Sequence, residues 1–232
     1  VNNKTVLICN SKEFIWKSKG LTSLECIDFL FNKSQKYNYF FRIDYDVNMI
    51  IKDWSKKDII KLYNGEQVYY KGYTIIYYKD KILSISKDKK RKRFFDVSNF
   101  FNTSLLNTIQ ILEIELTDDE KKFIELMKLN RSEFKLKDKD KIIQYSLLEN
   151  KIGIKIVNKI YELIPEELKT YNLYGSSVLA NNFLNLKRIK GSFTFSSRLF
   201  EESYFGGRME CFKIGKFRNV YKYDINSAYP DV

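Results

Sequence analysis

The 232-residue chain contains no histidine. That single absence excludes His-based catalytic triads, His metal clusters and imidazole general bases. Any metal chemistry must rest on carboxylates, which favour hard cations such as Mg²⁺ or Mn²⁺. With 2 Pro and 9 Gly there is little material for tails or linkers. Cysteine is scarce too: Cys9, Cys26 and Cys211 are odd in number, widely spaced and form no CxxC pair. They suggest neither a disulfide framework nor a zinc site, and they fit a reducing compartment, so a cytoplasmic location is expected. No apolar run approaches the ~18 residues that span a bilayer, and no basic-then-apolar leader opens the chain, so no membrane partner is expected. The chain opens on Val1 rather than Met and stops at Val232 in mid-motif, so both ends read as cut.

What is present is globular in character: 44% hydrophobic and 30% charged residues, with 17 Tyr and 18 Phe. The 41 Lys and Arg outnumber 29 Asp and Glu for a net charge of +12. A surplus of that size attracts polyanions, nucleic acid first among them. The Lys-, Asn-, Ile- and Tyr-rich composition of AT-rich coding accounts for the charge equally well, so charge alone does not decide.

Hydropathy patterns predict strands first and helices after them. Thr5–Cys9 and Glu13–Lys17 read as a hairpin. Thr22 and Glu25 form a capping box that opens a helix reaching about Asn32. Tyr37–Ile43 reads as a central strand closed by Asp44-Tyr45-Asp46, with a helix over Val47–Trp54. Val68–Tyr70 and Tyr73–Tyr78 flank a Lys71-Gly72 turn, and Lys81–Ser86 adds a strand. Lys87–Arg93 (KDKKRKR) reads as a solvated hairpin tip or a DNA-facing basic patch, and Arg93–Val97 returns as a strand. Helices follow over about Asn102–Glu113, Asp118–Leu129, Lys137–Ile164 and Tyr171–Asn185. The order predicts an α/β fold with a mixed sheet flanked by helices.

The most specific string is the last, Tyr221–Val232, YKYDINSAYPDV. A strand over Val220–Tyr223 would deliver Asp224 at its end, beside exposed backbone carbonyls, which is a natural divalent-cation position. Ser227 and Tyr229 follow in the turn that reaches Pro230. This DxxSxYP pattern resembles motif A of family B DNA polymerases. The resemblance implies that Asp224 is a catalytic palm carboxylate on the metal pair, that the Ile225 carbonyl and Ser227 lie at the incoming deoxynucleoside triphosphate, and that Tyr229 packs under its sugar as a steric gate. Upstream, Tyr204-Phe205-Gly206-Gly207, followed by Arg208, resembles the YxG(G/A) motif between exonuclease and polymerase domains in the protein-primed branch. There Tyr204, Gly206, Gly207 and Arg208 would contact the template strand.

The same resemblance implies that the body of the chain is an RNase H-like 3′–5′ exonuclease-type domain, which in this family carries three acidic motifs. Phe41–Asn48 (FRIDYDVN) is similar to the second, with Asp46 following an aromatic residue at a helix start, where the dipole favours a carboxylate. Tyr145-Ser146-Leu147-Leu148-Glu149 is similar to the third, YxxxD, with Glu in place of Asp. The i, i+4 spacing puts Tyr145 and Glu149 on one helix face, and Asp46 and Glu149 would be the metal-binding carboxylates. The first motif, DxE, is missing: either the opening strand lies upstream of Val1 or the exonuclease is inactive. A rival assignment makes Asp44 and Asp46 the first motif. Asp96, in RFFDVSN, reads as structural.

The expected layout is an exonuclease-like domain over 1–165, a helical connector over 166–200, and the YxGG motif with the first palm strand over 201–232. The implied partners are a DNA primer-template, deoxynucleoside triphosphates and a terminal-protein primer. Two other readings stay open, a stand-alone RNase H-like nuclease and a non-catalytic basic nucleic-acid-binding protein.

Overall fold

A computed structural model describes residues 4–130 and 134–187. The chain divides into two compact units, Val1–Arg188 and Ile189–Val232, and the described residues all belong to the first.

Strands β1 (Leu7–Cys9) and β2 (Phe14–Trp16) form a small antiparallel hairpin of their own. Helix α1 (Ser23–Lys33) starts at the predicted box: Thr22 Oγ1 accepts the Glu25 N–H, and Glu25 accepts the Thr22 N–H at 3.0 Å. Two of the helix's unpartnered N–H groups are satisfied in this way. Strand β3 (Tyr37–Phe40) follows, then α2 (Ile43–Ile50) and α3 (Lys56–Tyr63), the last capped by the Ser55 hydroxyl. Four strands then run as an antiparallel meander: β4 (Val68–Tyr70), β5 (Tyr73–Tyr78), β6 (Ile82–Lys87) and β7 (Lys90–Asp96). β3 joins β7 in parallel, so the five-stranded mixed sheet has the order β3-β7-β6-β5-β4.

The fold is therefore mixed α/β, as the element order predicted. Several details differ from expectation, α3 among them, since no element was expected over Lys56–Tyr63. β3 stops at Phe40 and, among the described residues, pairs with β7 alone, so it forms an edge of this sheet instead of its centre. α2 begins at Ile43, four residues before the predicted start, because the chain leaves the strand through Arg42 in the left-handed region (φ 62°). The basic run is mostly strand: the β6–β7 turn is only Asp88-Lys89, both at positive φ, and Lys90 already pairs with Lys87.

Alternation along the strands separates two cores. Val68, Ile75, Tyr77, Leu83, Ile85 and Phe94 point to one face, where they pack with α1, α2 and α3. The second core lies under the helices that follow the sheet, α4 (Leu105–Ile111), α5 (Asp118–Leu129), α6 (Lys139–Leu163) and α7 (Ser176–Leu186). Phe95 faces that side and meets the Tyr174 ring edge-on at 4.8 Å. Tyr39 of β3 reaches α6, its hydroxyl 2.9 Å from that of Tyr161. Leu168, Leu173 and Leu179 belong to the same core as α6. Among the described residues, no helix is long and apolar enough to cross a membrane.

Candidate active site

The candidate site begins where β3 turns into α2. Asp96, at the end of β7 and 2% exposed, accepts three backbone N–H groups: Arg42 at 3.0 Å, Ile43 at 2.9 Å and Ser98 at 2.9 Å. Those bonds occupy its carboxylate with capping α2 and the turn after β7, so Asp96 is structural, as its sequence context suggested.

The cap sets the direction of the two acids in the first turn of α2. Residues two apart on a helix point about 200° apart at 3.6 residues per turn. Asp44 turns toward the sheet and α3, accepting the hydroxyls of Tyr63 at 3.1 Å and Tyr77 at 3.2 Å. Burial pushes both of those phenols well above their usual range, and the Asp44 charge adds to it. On a helix, positions 44 and 46 lie on different faces, which argues against Asp44 and Asp46 as one DxE motif, whose i and i+2 residues share a face of a strand.

The third acidic motif lies on α6. The Tyr145 hydroxyl donates to Glu149 Oε1 at 2.6 Å, which is the i, i+4 contact expected from the spacing. Tyr145 is buried, its ring edge-on to Phe123, so the hydroxyl is held in place and Glu149 with it. One residue on, Asn150 donates to Cys9 Sγ at 3.2 Å and to the Ser146 carbonyl at 2.8 Å, tying the end of β1 to α6. The Cys9 thiol is pushed up to about 11, first by burial, then by the negative charges of Glu149 and Asp46.

A hard cation wants about six oxygen ligands. Among the described residues, no group of three or more His, Cys, Asp or Glu side chains is placed to hold a metal. Asp46 and Glu149 alone therefore do not fit a two-metal centre. What the arrangement does supply is a carboxyl group fixed by a buried phenol, on the helix that Asn150 ties to a protonated thiol.

Cys9 and Asn150 belong to this cluster although no motif marked them. The one available signal was negative, a short strand ending in cysteine where an acid would be useful. Asp224, Ile225, Ser227, Tyr229, Tyr204, Gly206, Gly207 and Arg208 lie outside the described residues. Comparison with known proteins adds no kinship: no protein-family model, no curated protein and no solved structure matches the chain.

Proposed function

We propose that this chain is part of a family B DNA polymerase, with residues 1–165 an RNase H-like 3′–5′ exonuclease-type domain. The observation that carries the reading is the string from Asp224 to Pro230, DINSAYP, four specified residues at fixed spacing after a strand-forming run. Support from elsewhere in the chain comes from Asp46 and Glu149. Tyr145 and Glu149 of the third motif are joined by a hydrogen bond at 2.6 Å, and the charges of Glu149 and Asp46 both help to raise the Cys9 thiol.

In this reading Asp224 holds Mg²⁺ or Mn²⁺ during deoxynucleotidyl transfer, which calls for two cations ~3.5–4 Å apart. Ile225 and Ser227 face the triphosphate, and Tyr229 excludes a 2′-hydroxyl. Tyr204, Gly206, Gly207 and Arg208 hold the template strand of the primer-template, and a terminal protein supplies the primer. The 232 residues contain neither the Lys-bearing fingers motif nor the paired-Asp strand that complete such a site. Alone they should therefore incorporate no nucleotide.

The test is primer extension by the polypeptide read from the open reading frame continued past Val232, with and without Asp224→Asn. The substitution is expected to lower incorporation by more than about a hundredfold. A frame that closes without a paired-Asp strand, incorporation indifferent to Asp224→Asn, or extension by the 232 residues alone would each end this reading.

A further inference from the structure

The sheet is covered unequally on the face that carries Phe95. Near the β3–β7 edge Phe95 is buried against Tyr174, and its cross-strand neighbour Ile82 is buried too. Toward the other end of the same strands Tyr69 and Arg91 are exposed, and Thr74, Ser84, Ser86 and Arg93 half-buried. Register places Tyr69, Thr74, Ser86 and Arg91 in one row across β4, β5, β6 and β7. Ser84 and Arg93 lie side by side in the next row, with Ile76 and Tyr37 flanking them. Tyr69 is 74% exposed. Neither row contains an acidic residue.

The chemistry of this face is unusual for a merely solvated surface, which mixes charges of both signs. It offers an aromatic ring, hydroxyls and two guanidiniums. Arg91 donates through Nε to the Ser86 hydroxyl at 3.2 Å, which leaves its terminal nitrogens for a ligand. Among the described residues no ion pair involves Arg91 or Arg93. At the adjoining end of the sheet, the β4–β5 and β6–β7 turns add Lys71, Lys89 and Lys90 against the single acid Asp88, all exposed. Asp46 lies past the opposite ends of β3 and β7, so this surface is separate from the candidate active site.

We propose that this open sheet face binds single-stranded nucleic acid. Four strands spaced ~4.8 Å apart give a row about 14 Å long, and a sheet face of that width holds two or three unstacked bases. Tyr69 stacks on a base, the serine and threonine hydroxyls meet polar edges, and the two guanidiniums and the lysine turns take the phosphates. A duplex fits poorly, because its bases are already stacked and its backbone would meet only the rim. The inference does not depend on the polymerase reading, since it uses none of the residues that carry that reading.

Binding of a fluorescein-labelled oligothymidylate to the 232-residue chain, followed by anisotropy in EDTA at graded KCl, tests it. Tyr69→Ala is expected to weaken binding about tenfold, with Tyr69→Phe close to the parent. Arg91→Gln combined with Arg93→Gln should flatten the slope of log Kd against log salt by about 1.4, at ~0.7 for each phosphate that is no longer neutralised. A duplex of the same length should be indifferent to Tyr69→Ala. Photocrosslinking with 5-iodouracil should give an adduct on Tyr69. Unchanged affinity and slope in these variants, or adducts mapping only outside β4–β7, would overturn the proposal, whatever primer extension shows. Tyr69 touches neither core, so its variants should melt with the parent.

Discussion

At the scale of single residues, Cys9 reports on its neighbours. Its thiol sits near 11 against an ordinary 9.0, with burial first and Glu149 and Asp46 behind it. The protonated form is the one the fold favours. The stabilisation it gives is complete below about 9 and is lost as pH rises through about 11. Alkylation requires the thiolate, so at pH 8 Cys9 should react about a hundredfold more slowly than an unshifted thiol. Cys26 is also raised to about 11, by burial, with Glu25 and Asp53 as minor charges. That makes it an internal control. Iodoacetamide labelling followed by peptide mass spectrometry should show Asp46→Asn and Glu149→Gln each speeding Cys9 and leaving Cys26 alone. Equal rates at Cys9 in all three proteins would mean that the two acids do not converge there.

At the scale of elements, the junction of β3, β7 and α2 depends on one carboxylate. Asp96→Ala leaves three backbone N–H groups without their acceptor, that of Ile43 in a buried position. Hydrogen bonds to a charged group contribute ~1.5–3 kcal/mol each and are not additive, so a loss of about 3 kcal/mol is expected in denaturant unfolding. Asp46→Ala, in the same helix and half-buried, should cost far less. Comparable destabilisation by the two substitutions would show that Asp96 is no special cap. This junction also marks where sequence reading gave out. The Thr22–Glu25 capping box and the Lys71-Gly72 turn were legible because their determinants lie within four residues. The Asp88-Lys89 turn was not, since neither residue advertises positive φ, and its basic run hid the start of β7. α3 went unread although Ser55 and Asp58 cap it, because Ile59, Ile60 and Leu62 form no long apolar stripe. The Tyr145–Glu149 contact followed from helical spacing. The bond from Asn150 to Cys9 rests on α6 packing against β1 and β3, which no local pattern encodes.

At the scale of the whole molecule, charge and chemistry separate. The net charge of +12 favours DNA binding wherever cations gather, and the open sheet face and the lysine turns are such a place. Cleavage asks for more. Hydrolysis of a phosphodiester by two cations requires enough carboxylates to fix both, and the described residues bring two, Asp46 and Glu149, with no third donor beside them. Glu149 is moreover engaged with Tyr145, and its extra methylene relative to Asp moves the oxygens outward along the helix face. The chain should therefore bind single-stranded DNA without degrading it. Incubation of a 3′-labelled strand with Mg²⁺ or Mn²⁺ should give no shortening above that of an Asp46→Ala control, even at protein concentrations where anisotropy shows the strand fully bound. Shortening that disappears in Asp46→Ala would mean a third ligand reaches the pair from elsewhere in the chain. Binding and cleavage would then be joined at one site, instead of lying at opposite ends of one sheet.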